Sequence, residues 1–315
     1  MRHIRREYDA QPARSIEALE RSILRRVGRA IKDYGMIADG DRVLVAISGG
    51  KDSWTLLHVL RLLQRRAPVR FDLFAVNIDQ GYPGFRVDLV EEYLKREGYE
   101  YYIVRNPTYR IIQEKLEPGT TACALCSRLR RGTLYRLAKE LNATKIALGH
   151  HADDLMVTFL MSVFFRGEIR TMPPLLLSDD GQNIVIRPLC YVFEEEIRQY
   201  VPHTGAPVVP CASPYCEDET ALRVQMKTLL DELERRYPRL KNSLLAALGK
   251  VNLTHLMDRR FLLGHLARSG DRGGAPIPSI EGERVFLAGH ADAPHDPWMA
   301  WTSPAEPDTL DIRDG

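Results

Sequence analysis

The sequence has no run of about 20 apolar residues, the length that a membrane-spanning helix requires. Its first residues are charged and lack the apolar segment of a secretory signal. Cysteine is scarce, with 5 residues in a chain of 315, and the odd count argues against a disulfide framework. We therefore expect a soluble, cytoplasmic protein without membrane contact, whose cysteines are core, catalytic or metal-binding residues.

The net charge of +2 hides an uneven distribution along the chain. Residues 1–70 contain 15 Lys and Arg against 8 Asp and Glu, whereas residues 270–315 contain 3 against 9. A basic first segment is compatible with a polyanionic partner such as nucleic acid, but a solvated helix face produces the same pattern. Charge alone therefore leaves the partner open.

The chain also lacks the G-x-x-x-x-G-K-[ST] pattern of a Walker loop. Instead, a Ser-Gly-Gly-Lys-Asp-Ser stretch lies between an apolar run at 42–47 and a helical pattern at 54–66. Such a turn points backbone amides and the positive end of a helix at one place, and glycine lets a phosphate approach closely. The predicted phosphate site consists of Ser48, Gly49, Gly50, Lys51, Asp52 and Ser53, with Asp52 as a candidate Mg²⁺ ligand.

A second polar loop, Gly149–Asp154, follows the apolar run at 145–148. Gly149 would let a ligand pass close to the backbone, and Asp153 and Asp154 could hold Mg²⁺, although capping of the next helix is the simpler role for Asp154. Neighbouring residues point to different sides of a helix, so a zinc site on the histidines is disfavoured. We expect a nucleotide or substrate contact from His150 and His151.

Strand patterns alternate with helical patterns of 10–15 residues, which predicts a parallel sheet. The fold class is therefore α/β, a Rossmann-like sheet with helices on both faces, followed by C-terminal helices. The predicted strands are 42–47, 71–78, 100–104 and 145–148, with a hairpin of 175–177 and 184–186 whose return run continues through Leu189 as a fifth sheet strand. The predicted segments are 1–35, an N-terminal helical part; 36–205, the nucleotide-binding domain; 206–263, a cysteine loop and helices; and 264–315, a disordered acidic tail.

Cys123 and Cys126 form a C-x-x-C motif ahead of a basic helix at Ser127–Arg131. This spacing lets two thiolates reach one metal, and a redox dithiol, half of a zinc site and iron–sulfur ligation all remain open. We choose Cys211, which follows a proline, as a third thiol from a distant part of the chain. Three thiolates would leave one position open on an iron–sulfur cluster or on zinc.

Different roles are predicted for the two remaining cysteines. Cys216 lies five residues after Cys211 and could supply a fourth ligand, which would close the site. Cys190 lies in or beside a buried strand and is predicted to pack in the core.

Taken together, these motifs resemble the ATP pyrophosphatases, and among them the bacterial tRNA-cytidine 2-sulfurtransferases. The resemblance extends from about Ile23 to Met257. It is carried by the residues at 47–53, 77–80, 83–85, 123–132, 146–151, 172–174, 178–181, 186–189 and 209–211.

The resemblance implies an enzyme that uses ATP to thiolate a cytidine of the tRNA anticodon loop, forming 2-thiocytidine at position 32. ATP would adenylate the C2 oxygen, and sulfur transfer at a [4Fe–4S] cluster would release AMP after pyrophosphate. The implied cofactors are ATP, Mg²⁺ and the cluster, and the implied partners are tRNA, a sulfur donor such as a cysteine desulfurase, and a second copy in a homodimer.

The implied site residues fall into three sets. Catalysis and cluster ligation would use Lys51, Asp52, Cys123, Cys126 and Cys211. ATP binding would add Asn77, Gly149 and Asp154 to the loop at 48–53. RNA phosphates would be held by Arg128, Arg130 and Arg131, for which an ordinary solvated helix surface is the alternative.

Two rival functions share these motifs. Another tRNA-modifying enzyme of the same superfamily, a uridine thiolase or a lysidine-synthetase-like enzyme, would use the same loop. A non-catalytic iron–sulfur sensor that binds nucleotide or RNA is the rival from another class, and the intact Ser-Gly-Gly-Lys-Asp-Ser loop disfavours it.

Overall fold

A computed structural model describes residues 15–115, 122–210, 212–213 and 222–258. The predicted tail at 264–315 lies outside these residues, as do Cys211 and Cys216. Within the described part, a first compact unit ends at Asp231 and a second begins at Glu232. The domain boundaries drawn after residues 35, 205 and 263 remain a prediction.

The strands of the described residues form one six-stranded sheet in the order β3-β2-β1-β4-β6-β5. They are β1 (Asp41–Ile47), β2 (Phe71–Asp79), β3 (Glu100–Arg105), β4 (Lys145–Ala147), β5 (Leu175–Leu177) and β6 (Ile184–Ile186). Neighbouring strands are parallel except for β5 and β6. The central β1 pairs with β2 through its whole length, so that Ile47 at the end of β1 lies beside Asn77, two residues before the end of β2.

The first helix of the described residues precedes these strands, and the others connect them or follow them. They are α1 (Ile16–Asp33), α2 (Lys51–Gln64), α3 (Val87–Arg96), α4 (Thr108–Lys115), α5 (Ala122–Glu140), α6 (Ala152–Arg166), α7 (Glu194–Tyr200), α8 (Leu222–Arg236) and α9 (Leu240–Leu248). Most of α8 belongs to the first unit, and α9 belongs to the second.

Both faces of the sheet are buried. Leu44 of β1 packs in one apolar cluster with Leu134 and Leu137 of α5. Its neighbours Val43 and Val45 point to the opposite face and are also 0% exposed, where α2 contacts β1 and packs against α1 and α7. Burial on both faces explains why β1 reads as a continuous apolar run. The predicted α/β fold with helices on both faces is confirmed.

Two helices differ from the prediction. The basic helix α5 begins at Ala122, so Cys123 and Cys126 lie inside it rather than before it. Ala122, Ala124 and Leu125 have high helix propensity, which outweighs the low helix propensity of the two cysteines. Helix α4 was not predicted, since it is only 8 residues long, and its place depends on packing against α5, with Ile112 0% exposed.

The hairpin of β5 and β6 is confirmed, and its connection contains Gly181 at φ +68°. The predicted continuation of β6 through Leu189 is wrong, because the strand ends at Ile186 and Pro188 begins a 3₁₀ turn. Proline has no N–H group to donate to a neighbouring strand. Among the described helices, none combines the length and the apolar character needed to cross a bilayer.

Candidate active site

The loop between β1 and α2 is held in shape by its two serines. The Ser53 hydroxyl donates to the Gly50 carbonyl at 2.9 Å and accepts from the Ser48 amide at 3.2 Å. Gly49 adopts φ +86°, a conformation that other residues rarely adopt. Lys51 is the first residue of α2, so the loop leads directly into the N-terminus of a 14-residue helix. This geometry is suited to an anion.

Lys51 lies between two carboxylates. Its Nζ is 3.1 Å from Asp52 and 3.0 Å from Glu194 at the start of α7. Burial disfavours the charged ammonium, but the charges of Asp52 and Glu194 outweigh it and raise the pKa of Lys51 above its usual value. Lys51 is therefore a fixed positive charge at neutral pH.

Glu194 joins the loop to α8. Its Oε1 contacts Lys51, and its Oε2 contacts Lys227 Nζ at 2.6 Å, while only 10% of its side chain is exposed. Burial favours the neutral acid, but hydrogen bonds from Lys227 and Lys51 lower the pKa of Glu194 to about 2. Sequence reasoning missed both Glu194 and Lys227, because nothing in their local pattern separates them from a solvated helix face.

The loop at 149–154 contributes two carboxylates with backbone partners. Asp154 accepts from the His151 amide at 3.1 Å in a capping box, which confirms the capping role, and its other oxygen pairs with Arg223 of α8. Burial alone would raise the pKa of Asp154, but the nearby His151 and Arg223 together have the larger effect. The pKa is therefore below its usual value, and Asp154 stays ionised. Asp153 accepts from the Glu194 amide at 2.8 Å and so links α6 to α7.

The two histidines of this loop have different surroundings. His151 Nε2 lies 3.7 Å from Asp52 and 3.4 Å from Asp154, so this imidazole faces the loop carboxylates. His150 accepts from Arg187 at 3.3 Å, and burial together with the Arg187 charge lowers the pKa of His150 to about 4. His150 is therefore neutral at pH 7.

Gly149 allows the two loops to pack backbone against backbone. A Cβ at this position would lie 3.0 Å from the Asp52 carbonyl carbon and 3.1 Å from the Ser53 nitrogen. These neighbours are backbone atoms at the first turn of α2, which cannot rotate away as a side chain would. The predicted role of Gly149 in ATP binding stays a prediction, and its observed role is to position the phosphate loop.

We expect Gly149→Ala to destabilise the protein by about 1–3 kcal/mol, because the added methyl group forces the start of α2 outward. Urea unfolding measures the loss. The matched control is Gly132→Ala in α5, where a Cβ meets nothing within 4 Å and where we expect a gain of up to about 1 kcal/mol. Equal stabilities for the two variants would contradict the close approach.

Side chains from four elements line a cavity of about 140 Å³ at this place. Its lining residues are Lys51, Asp52, His151, Asp153, Asp154, Val157, Glu194, Arg223 and Lys227. Leaving the histidine aside, three cations face four carboxylates, so the wall has a formal charge of −1. A polyphosphate needs a divalent cation to bind such a wall, and Mg²⁺ commonly uses one or two carboxylates plus phosphate oxygens. In the described part of the chain, no three His, Cys, Asp or Glu side chains converge as a metal site.

The Cys126 thiol donates to Gln80 Oε1 at 3.0 Å, in the loop after β2. It packs against a buried cluster of Tyr82, Ile112 and Ala122, and Ala212 packs against the same cluster. Because Ala212 is the residue after Cys211, the chain brings the neighbour of the predicted third ligand to the surroundings of Cys126. The side chain of Cys123 and all of Cys211 lie outside the described residues.

The segment before Cys211 runs along the phosphate loop. The Val209 amide donates to the Gly49 carbonyl at 2.9 Å, and Trp54 Nε1 donates to the Pro207 carbonyl at 2.8 Å. The chain therefore contacts the loop at 48–53 through Val209, and three positions later it contacts the apolar cluster around Cys126 through Ala212. That the phosphate and cysteine halves form one site stays a prediction.

The remaining predicted residues have these positions. Asn77 is 1% exposed and donates to the Ile47 carbonyl at 2.8 Å, while its Oδ1 has no hydrogen-bond partner among the described residues. Its role in ATP binding stays a prediction. Cys190 is 0% exposed, as predicted for a core residue, and burial raises the pKa of its thiol to about 12. Three arginines are exposed on α5, namely Arg128, Arg130 and Arg131.

Comparisons with known proteins agree on one family. The PP-loop domain family matches residues 19–225. A tRNA-cytidine(32) 2-sulfurtransferase from Anaeromyxobacter sp. is 48% identical over 81% of this chain and 84% of the relative. The protein of the same name from Geobacter sulfurreducens is 49% identical over 76% of this chain and 93% of the relative. The protein of that name from Haemophilus influenzae is 46% identical over 85% of this chain and 84% of the relative.

A solved structure has the same fold. It is the U34-tRNA thiolase NcsA from Methanococcus maripaludis with its [4Fe-4S] cluster. The alignment has a TM-score of 0.60 and 22% identity, and covers 74% of this chain and 78% of that one. At this identity the similarity concerns the fold.

Proposed function

Because the chain belongs to the PP-loop family and, within it, to the tRNA-cytidine(32) 2-sulfurtransferases, we propose that it uses ATP to thiolate cytidine 32 of tRNA. The observation that carries this proposal on the molecule itself is the shared segment at 207–212. It joins the phosphate loop through Val209 and the surroundings of Cys126 through Ala212. These contacts support a site in which an ATP-activating loop and a thiol serve one reaction.

The first chemical step is adenylation. The C2 oxygen of cytidine attacks the α-phosphorus of ATP, an oxygen–phosphorus bond forms, and pyrophosphate leaves. The loop amides and the Lys51 ammonium would stabilise the negative charge that increases on the leaving pyrophosphate. Electrostatic stabilisation of this kind is the main contribution that such a site makes.

The second step replaces oxygen with sulfur. A donor such as a cysteine desulfurase supplies the sulfur as a persulfide, and two thiols of a reductant convert it to sulfide while they form a disulfide. The sulfide then forms a bond to C2. The carbon–oxygen bond then breaks, and AMP departs with that oxygen. The donor, a homodimeric assembly and a cytoplasmic location stay proposals.

The residues present fit the two inorganic cofactors. The buried Asp52 Oδ1 makes no hydrogen bond among the described residues, although Lys51 Nζ lies 3.1 Å from it, and this carboxylate would hold Mg²⁺ beside the phosphates. Cys123, Cys126 and Cys211 would hold a [4Fe–4S] cluster, and the thiol and apolar packing at Cys126 suit thiolate ligation by soft metals. When bound, such a cluster would supply a site that holds the sulfur to be transferred.

The tRNA would approach over α5. Arg128, Arg130 and Arg131 are exposed there. Exposed arginines suit RNA phosphates, and the target base has to leave its stack to expose C2.

We expect tRNA from cells that lack the gene to lack 2-thiocytidine, and a plasmid carrying the wild-type gene to restore it. Mass spectrometry of tRNA nucleosides measures this. A Lys51→Ala gene is the matched control and should fail to restore the modification. Loss of lysidine or of a 2-thiouridine instead would overturn the assignment of substrate.

A further inference from the structure

The cavity receives two cations from α8, a helix that follows the cysteine segment. Arg223 and Lys227 are four residues apart and therefore lie on the same face of the helix. Their side chains are 48% and 42% exposed, so they reach the cavity from its rim. Met226 and Leu230 are the buried residues of α8, and they anchor the helix in the first unit.

Each α8 cation rests on a carboxylate that also belongs to the loops. Arg223 pairs with Asp154, which caps α6. Lys227 pairs with Glu194 at 2.6 Å, and the same carboxyl group holds Lys51 at 3.0 Å. One carboxylate thus gathers two ammonium groups that would otherwise repel one another.

The charge balance shows why these cations matter for an anionic ligand. Without α8, Lys51 would be the one Lys or Arg facing four carboxylates among the described lining residues. Such a wall has a formal charge of −3 and repels a polyphosphate. Two further cations bring the wall close to neutrality and supply several N–H donors for phosphate oxygens.

We propose that Arg223 and Lys227 bind the pyrophosphate half of ATP, and that Glu194 positions Lys51 and Lys227 before the nucleotide enters. This inference rests on the proposed function and extends its site to α8. Lys227 and Lys51 pair with the same carboxylate, Glu194, so their two ammonium groups would contact the same ligand. The electrostatic attraction between these ammonium groups and the leaving pyrophosphate would increase as negative charge develops on the pyrophosphate.

The test is calorimetric binding of Mg²⁺·ATP, Mg²⁺·pyrophosphate and AMP to the full chain without tRNA. For Lys227→Met and Arg223→Met we expect the Kd for ATP and for pyrophosphate to rise about ten- to a hundredfold. The Kd for AMP should stay within about twofold, because AMP lacks the β- and γ-phosphates. Lys227→Arg keeps the charge and should recover most of the lost affinity.

Two controls make the result decisive. Arg236→Met removes the same charge from the exposed end of α8, where Arg236 lies over the Tyr237 ring, and should bind ATP as the wild type does. Melting temperatures of all variants report whether each one folds. Unchanged ATP binding by both cavity variants, or an equal loss for ATP and AMP, would overturn the inference. Wild-type protein that fails to bind ATP would instead overturn the proposed function.

Discussion

Replacing Cys126 with alanine is expected to leave the protein unable to hold iron and sulfide after anaerobic reconstitution, and to abolish tRNA thiolation. The Cys126 thiol lies against the Tyr82 cluster, which also contacts Ala212 next to Cys211. A methyl group cannot replace a thiolate ligand, and two remaining thiolates do not hold the cluster. Visible absorbance, iron and sulfide content, and 2-thiocytidine formed in vitro measure the effect.

Cys190→Ala is the matched control for this experiment. Cys190 is fully buried, and its thiol pKa of about 12 keeps it protonated and unavailable as a ligand. We expect this variant to retain iron, sulfide and activity, with only the small loss of stability that a core sulfur atom accounts for. Full iron and sulfide in Cys126→Ala would contradict the ligand assignment. Wild-type protein that binds zinc in place of iron would overturn the cluster.

Replacing Glu194 with glutamine should lower the free energy of unfolding by about 3 kcal/mol at pH 7. The pKa of Glu194 falls from 4.5 to about 2 in the folded protein, because Lys227 and Lys51 donate to the carboxylate. A depressed pKa contributes stability that is present above the unfolded value and is lost as pH falls through the folded one. The difference between wild type and variant should therefore shrink between pH 4.5 and about 2.

Urea unfolding of both proteins at pH 7, 4 and 2.5 measures this dependence. Glu195→Gln is the matched control, since Glu195 is the next residue of α7, is 61% exposed and has surface partners, Arg198 and Gln199. Exposed ion pairs contribute about 0–1 kcal/mol, so the control should unfold close to the wild type at every pH. A stability difference for Glu194→Gln that stays constant with pH would contradict the ion pairs with the two lysines.

Much of the fold followed from local patterns. β1 is buried on both faces, so its apolar run is nearly continuous, and the glycines and serines after it mark the phosphate loop. The family resemblance drawn from these motifs is confirmed by relatives that are 46–49% identical. The start of α5 and the existence of α4 were misjudged, because short helices depend on tertiary packing more than on their own sequence.

The sequence alone identified the groups whose chemistry is encoded by neighbours in the chain: the loop at 48–53, the aspartates at 153 and 154, and the C-x-x-C motif. Folding adds partners that are distant along the chain. Glu194 meets Lys51 across 143 positions, and Val209 meets Gly49 across 160. An isolated Glu, Arg or Lys on a helix looks the same whether it faces solvent or a ligand. Only the packing of α7 and α8 against the loop distinguishes the two.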